Sequence, residues 1–317
     1  MDVETIFCAC APGLEPALAA ELAALGLEAH ATPGGADATG EDAAALACLG
    51  ARLADAVLLR LWHGPARDLA RGRREARRRA GPGPELRARI EGEVATLSLD
   101  AAGAPLYRRG WRARIGAAPL RETLAAGILR VAGYDGERPF LDPMCGSGTL
   151  AIEAALAAGR RAPGLGRAFA FEALPGHDAA RTARLRARLA AAARTPPAPI
   201  HASDRNGGAL RLAMKNAAAA GVAELIRFAR EDAARVIPPP GPGLCAVNPP
   251  YGIRLDEDAE GSWRALAALW PRLAGWQLAV LAPGVEPGLE RLLPGQPAAA
   301  LPVSNGGIRC RLLRYNT

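Results

Sequence analysis

The four residues Asn248-Pro249-Pro250-Tyr251 are the part of this sequence best suited to chemistry. Two prolines fix φ and carry carbonyls without N–H groups, which sets an acceptor-rich edge beside the Asn248 amide and a tyrosine ring. A flat NH2-bearing group could donate its two hydrogens to the Asn248 side-chain oxygen and the Pro249 carbonyl while Tyr251 stacks on its face. Such bonds turn the nitrogen lone pair out of conjugation and towards an electrophile. A proline-rich turn after a buried strand is the plainer reading of the same residues.

Three acids stand upstream at comparable places. Asp142 ends the apolar run Phe140-Leu141 and opens Asp142-Pro143-Met144-Cys145-Gly146-Ser147-Gly148-Thr149. Gly146 and Gly148 let backbone N–H groups approach a ligand with no Cβ between. Read as G-x-G-x-x-A closing on Ala151, the segment also permits a dinucleotide site, with Glu172 as a loosely placed ribose acid. A structural loop without ligand is a third reading. Asp204 and Asp232 each close a short apolar run, at 200–203 and 226–229. An acid there can take the hydroxyls of a ribose, and it can equally cap a helix.

The elements that must position these groups follow from periodicity. A strand at 6–11, a helix at 14–25 closed by Gly26, a strand at 28–32, a helix at 41–53 and an apolar run at 56–62 suit a small ferredoxin-like α+β unit. The segment 67–89 reads as a linker or exposed helix, and 94–99 alternates like a strand. A helix is expected at 119–131. Beyond Gly133 the rhythm becomes strand, glycine turn and alanine-rich helix, the signature of a parallel α/β sheet. The boundary is placed at 115, giving domains 1–115 and 116–317.

At 317 residues, half of them hydrophobic and 22% charged, the chain is expected to be globular. No long uncharged apolar run suggests a membrane helix, and residues 1–4 lack the order of a signal peptide, so a cytoplasmic protein is expected. Six cysteines without a C-x-x-C pair and four scattered histidines indicate no metal site. The net charge is +7, and it is clustered. Residues 67–89 hold nine arginines against three acids, 108–130 six against one, and 160–194 eight against two. Such stretches are either solvated helix faces or the footprint of a polyanion partner.

In this order, Asp142 with its glycine turn, Asp204, Asp232 and Asn248-Pro249-Pro250-Tyr251 resemble the class I S-adenosylmethionine-dependent amino-methyltransferases. The flanks are similar to the THUMP-associated RNA methylases, in particular the bacterial enzymes that make N2-methylguanine in large-subunit ribosomal RNA. The matching text includes Leu106-Tyr107-Arg108-Arg109-Gly110-Trp111-Arg112, Ala118-Pro119-Leu120-Arg121-Glu122-Thr123, residues 164–172, Asn248 to Leu255, and Ser304-Asn305-Gly306-Gly307-Ile308-Arg309. The resemblance implies a Rossmann-like class I methyltransferase sheet behind an N-terminal ferredoxin-like, reduced THUMP domain that binds RNA.

It further implies S-adenosylmethionine held by Asp142, Cys145, Gly146, Ser147 and Gly148 on the methionine and sugar side, by Asp204 at the ribose and by Asp232 at the adenine. Pro119, Arg121 and Thr123 would cover it, and Asn248, Pro249, Pro250 and Tyr251 would hold the target amine. Arg73, Arg74, Arg77, Arg78, Arg79, Arg108, Arg109, Arg112 and Arg114 are the expected RNA contacts. The chain departs from the family in a shortened stretch between Trp62 and Val94 and in Asn206 where a second acid is common, and the second methyltransferase fused in some relatives is not expected with it. The same acceptor edge also serves adenine N6 in DNA or glutamine in protein. Other readings are a tRNA guanine substrate and an RNA-binding module that has lost catalysis.

Overall fold

A computed structural model describes residues 3–112, 120–250, 257–284 and 288–317, without the side chains of 257 and 258. The chain forms two compact units. The first comprises Met1–Arg109 together with Ala162–Ala192, and the second Gly110–Arg161 together with Ala193–Thr317. The expected cut at 115 falls outside the described residues. The segment 162–192 packs with the first unit: the Gly164 N–H donates to Leu49 O at 3.0 Å, the Phe171 N–H to Ala101 O at 3.0 Å, and Arg181 pairs with Asp42 at 2.6 Å.

The first unit begins β1 (Glu4–Ala9), α1 (Glu15–Ala24), β2 (Glu28–Thr32), β3 (Gly35–Gly40), α2 (Ala43–Gly50), β4 (Ala56–Pro65). It continues with α3 (Leu69–Ala80), β5 (Arg87–Glu91) and β6 (Val94–Asp100). The strands pair antiparallel in the order β2-β3-β1-β4-β6-β5. Strands β1 to β4 with α1 and α2 are the ferredoxin-like βαββαβ pattern. Helix α3 and the β5–β6 hairpin extend its sheet. The period-two alternation buries Ile6, Cys8, Val57, Leu59, Leu97 and Leu99 on the helix-covered face, and leaves Phe7, Leu58 and Thr96 on the other.

Two strands escaped the sequence reading. In β3, Ala36 and Ala38 are buried while Asp37 and Thr39 face outwards, so the alternation is present but carried by residues poor in β-propensity. In β5 every residue is exposed, so no apolar pattern marks it.

The second unit holds α4 (Glu122–Val131), β7 (Phe140–Asp142), α5 (Thr149–Ala158), β8 (Ile200–Ser203), α7 (Gly207–Ala219), β9 (Ile226–Ala229), β10 (Leu244–Val247), α8 (Glu257–Leu269) and β11 (Gln277–Pro283). The antiparallel pair β12 (Ala299–Asn305) and β13 (Ile308–Asn316) closes it. Helix α6 (Ala179–Ala191) lies in the segment that joins the first unit. The sheet order is β12-β13-β11-β10-β7-β8-β9, parallel from β9 through β11. Buried Trp263, Leu266 and Leu269 of α8 pack with Val247, Leu278 and Val280. Successive strands run outwards from β7 through β8 and β9, then resume on its other side with β10. The topological switch therefore lies between β7 and β10, where open α/β sheets bind ligands at the carboxyl ends of their strands.

Candidate active site

The turn after β7 is built for close approach. Gly146 and Gly148 have φ of 53° and 85°, in the left-handed region that favours glycine. A Cβ on Gly148 would stand 3.0 Å from the Ala213 Cβ, so α7 packs directly on this turn. The turn is tied on several sides. The Cys145 N–H donates to Ser203 O at 2.9 Å, the Gly146 N–H to an Asp204 carboxylate oxygen at 2.9 Å, and Asn216 Nδ2 to Ser147 O at 2.9 Å. The Cys145 thiol is buried, which pushes its pKa far up and keeps it unreactive.

Asp204 accepts from the Asn206 N–H at 2.8 Å with its other oxygen, and its remaining lone pairs are available to a ligand. Asp232 accepts from the Ala234 N–H at 2.9 Å. Its cap role and its place on the cavity wall coexist. Asn206, where an acid was the family's habit, caps α7 by accepting from the Gly208 and Ala209 N–H groups at 2.8 and 3.2 Å. Asn248 follows β10, and its side-chain oxygen is buried with no hydrogen-bond partner among the described residues. An orphaned acceptor of this kind costs free energy unless a ligand or water satisfies it.

These groups share one cavity of about 320 Å³. Gly146, Asp204, Asp232, Asn248 and Pro250 line it, so the strand ends of β7, β8, β9 and β10 all contribute. Sequence reasoning did not single out Arg205, Ser262 and Ala265, which also line it, or the fully buried Asn216 behind it. A polar residue on the buried face of alanine-rich α7 was the available signal for Asn216.

Other expected residues stand elsewhere. Asp142 is 1% exposed and lies behind the lining. Burial pushes its carboxyl up to about 8, opposed by a Met144 N–H bond that lowers it and aided by a nearby Asp204 charge that raises it. Ser147 places its hydroxyl 3.4 Å from Thr149 Oγ1. Arg121 and Thr123 sit at the start of α4, with Thr123 buried. Pro249 is buried and Pro250 exposed. Pro119, Tyr251 and Arg114 lie outside the described residues.

The arginines divide sharply. Arg109 is buried, donating to the carbonyls of Leu106 and Arg52. Arg112 is half-buried and fully engaged: its Nε donates to Glu122 at 3.0 Å, and its Nη2 to Leu120 O at 3.0 Å and Thr149 Oγ1 at 3.1 Å. Both are therefore corrected from surface phosphate contacts to internal ties. On α3, Arg77 donates to the carbonyls of Gly81 and Pro84, and Arg79 to that of Leu61. Arg73, Arg74 and Arg78 are exposed beside them, as is Arg108.

Among the described residues no group of three or more His, Cys, Asp or Glu gathers to hold a metal, and no helix is long and apolar enough to cross a membrane. Residues 109–286 match the RMKL-like methyltransferase domain family UPF0020, and residues 5–58 match the RlmL ferredoxin-like domain. A curated relative from Psychromonas ingrahamii, "Ribosomal RNA large subunit methyltransferase K/L", is 40% identical over 242 residues, 72% of this chain and 31% of its own length. The chain thus spans about a third of the curated relatives it matches. A solved structure of a predicted N6-adenine-specific DNA methylase from Listeria monocytogenes is 26% identical with a TM-score of 0.87, covering 99% of this chain and 96% of that one. A putative methyltransferase complexed with SAH is 23% identical with a TM-score of 0.86, covering 100% and 98%. The glycine turn, the strand-end acids and the Asn-Pro-Pro rim all fall within the matched span, and the chain belongs to the RMKL-like methyltransferase family, preceded by an RlmL-type ferredoxin-like domain.

Proposed function

We propose that this chain is an S-adenosylmethionine-dependent RNA methyltransferase acting on the exocyclic N2 of guanine in large-subunit ribosomal RNA. The observation that carries the reading is Asn248 on the wall of the cavity that Gly146, Asp204 and Asp232 also line, its side-chain oxygen buried and without a hydrogen-bond partner among the described residues. The K/L relative is named for large-subunit ribosomal RNA, and this chain's arginine-rich α3 suits a polyanion.

The residues fit the donor. Gly146 would give its methionine and sugar side a backbone surface, Asp204 would offer acceptors to the ribose hydroxyls, and Asp232 would accept from the adenine amino group. Bound there, the donor supplies an electrophilic methyl on a sulfonium. The chain's own contribution is placement. Asn248 Oδ1 and the Pro249 carbonyl take the two amine hydrogens of the target base, which frees the nitrogen lone pair for in-line attack. Tyr251 supports the base face. As the new N–C bond forms, the methyl's bond to sulfur would break and release the neutral thioether S-adenosylhomocysteine; the cationic nitrogen then loses its proton to Asn248, a carbonyl or water, so no strong general base is needed. The base must first leave its stack at a cost of a few kcal/mol, which favours unpaired targets.

Asn248→Ala tests the reading. Methyl transfer should fall about 10²–10³-fold or more, the scale of a lost positioned hydrogen bond at a reacting group. Binding of S-adenosylhomocysteine should be unchanged. Retained activity would remove the amine clamp. Nucleoside mapping of RNA and DNA from cells with and without the gene should show loss of N2-methylguanine from large-subunit RNA. Loss of N6-methyladenine from DNA would favour the activity named for the Listeria chain.

A further inference from the structure

The outer face of the six-stranded sheet in the first unit carries a feature that the methyltransferase reading leaves unused. In a flat sheet β5 would lie about 14 Å from β1, three strand spacings away. Here the guanidinium carbon of Arg89 on β5 stands 5.9 Å from the centroid of the Phe7 ring on β1. The Arg89 side chain thus reaches back over β6 and β4, and the uncovered face beneath it is a groove of about 370 Å³. Phe7 forms the floor and Arg89, 59% exposed at its side chain, the roof.

The walls are polar and electrically balanced. Arg60 faces Asp37 at 3.1 Å, Arg87 faces Asp100 at 3.4 Å, and Arg89 faces Glu91 at 2.7 Å. His63 Nδ1 and Thr96 Oγ1 are hydrogen-bonded at 2.9 Å. The Thr32 hydroxyl, also on the lining, is buried with no partner among the described residues. A phosphate would gain little from guanidiniums already neutralised in pairs. A neutral planar ring with donors and acceptors on its edge gains from all of these features: an aromatic floor, a guanidinium above it, and Thr32 with the Arg60–Asp37 pair beside it.

We infer that this groove binds one unstacked nucleobase of a single-stranded RNA segment. The base lies on Phe7 beneath a lifted Arg89, and its edge meets Thr32 and the Arg60–Asp37 pair. The inference rests on the RNA reading above and adds to it a base-holding site remote in sequence from the methyl-transfer cavity. The exposed arginines of α3 lie on a helix packed against the opposite face of the sheet, through Gly72 on Trp62. Phosphate attraction and base stacking are thereby assigned to different surfaces, and they are separable by experiment.

The test uses the full chain with fluorescently labelled single-stranded RNA hexamers and an RNA duplex of the same length. Phe7→Leu keeps an apolar floor and removes the π face. It should weaken single-strand binding about tenfold, within the range of one base stack. Duplex affinity and the salt slope should not change. Phe7→Tyr keeps the π face and should bind as the parent does. Equal losses for both RNAs, no loss for either, or equal loss in Phe7→Tyr would overturn the proposal. So would a parent dimer in sedimentation that Phe7→Leu dissolves, which would make a second copy the occupant. Absence of methyl transfer to any RNA, with this hexamer pattern intact, would sink the proposed activity and leave the groove standing. The reverse result would do the opposite.

Discussion

Asp142 ends β7 where the sequence places it, yet it is buried behind the cavity and is not part of its lining. Its carboxyl is raised to about 8 by burial, from 3.8. Between those values the native chain holds a proton that the unfolded chain has released. The stabilisation is therefore complete below about pH 4 and is lost as pH climbs through 8, with a slope of up to about 1.4 kcal/mol per pH unit. Burial also raises Glu4, Glu21 and Glu122, so comparison with a variant isolates the contribution of Asp142. Asp142→Asn keeps the acceptor for the Met144 N–H and should flatten the fall in urea midpoint between pH 5 and 8. Parallel profiles for parent and variant would contradict the buried acid. Asp204, Asp232 and Asn248 were legible because each ends a strand, and a strand end at the switch point is a place as well as a residue type. Arg109 and Arg112 were not legible as internal ties. Charge can be counted along a sequence, but the direction of a guanidinium depends on Glu122 ten residues away and on Thr149 in another element.

At the scale of elements, α3 is the instructive case. Gly72, Ala76 and Ala80 form its buried stripe. A Cβ on Gly72 would meet the Trp62 ring at 2.4 Å, so only glycine lets the helix lie so close. That approach leaves Arg73, Arg74 and Arg78 pointing outwards, while Arg77 and Arg79 satisfy carbonyls. The substitution Arg73→Gln/Arg74→Gln/Arg78→Gln should reduce the slope of log affinity for RNA against log salt by about 2–3, at roughly 0.7–0.9 per phosphate. Arg77→Gln/Arg79→Gln should instead lower the melting temperature. An unchanged slope in the triple variant would make the outer stripe merely solvated. The helix was half legible, since small residues at every fourth position can bury a face without any hydrophobic side chain. Strand β5 was illegible because it is an exposed edge whose one strand neighbour is β6.

For the whole molecule, ligand linkage offers a direct check of the donor. S-adenosylhomocysteine at about 100 times its Kd should stabilise the chain by about 2.7 kcal/mol. In a thermal melt NAD at the same concentration should have no effect, and a shift with NAD alone would restore the dinucleotide reading of the glycine turn. The broad architecture was legible because the change from α+β pattern to strand-turn-helix rhythm is a long-range signal. The partner of residues 162–192 was not, because nothing in an alanine- and arginine-rich stretch says which core it covers. That stretch is inserted between α5 and β8 of the second unit, yet it completes the first. A ribosome releasing this polypeptide from its amino end therefore exposes the ferredoxin-like sheet well before its last supporting helix, α6, has emerged. By then the glycine turn and the opening strand of the methyltransferase sheet have already been synthesised. Maturation of the two halves is interleaved in time, and a fragment ending at residue 109 would lack a piece of its own fold.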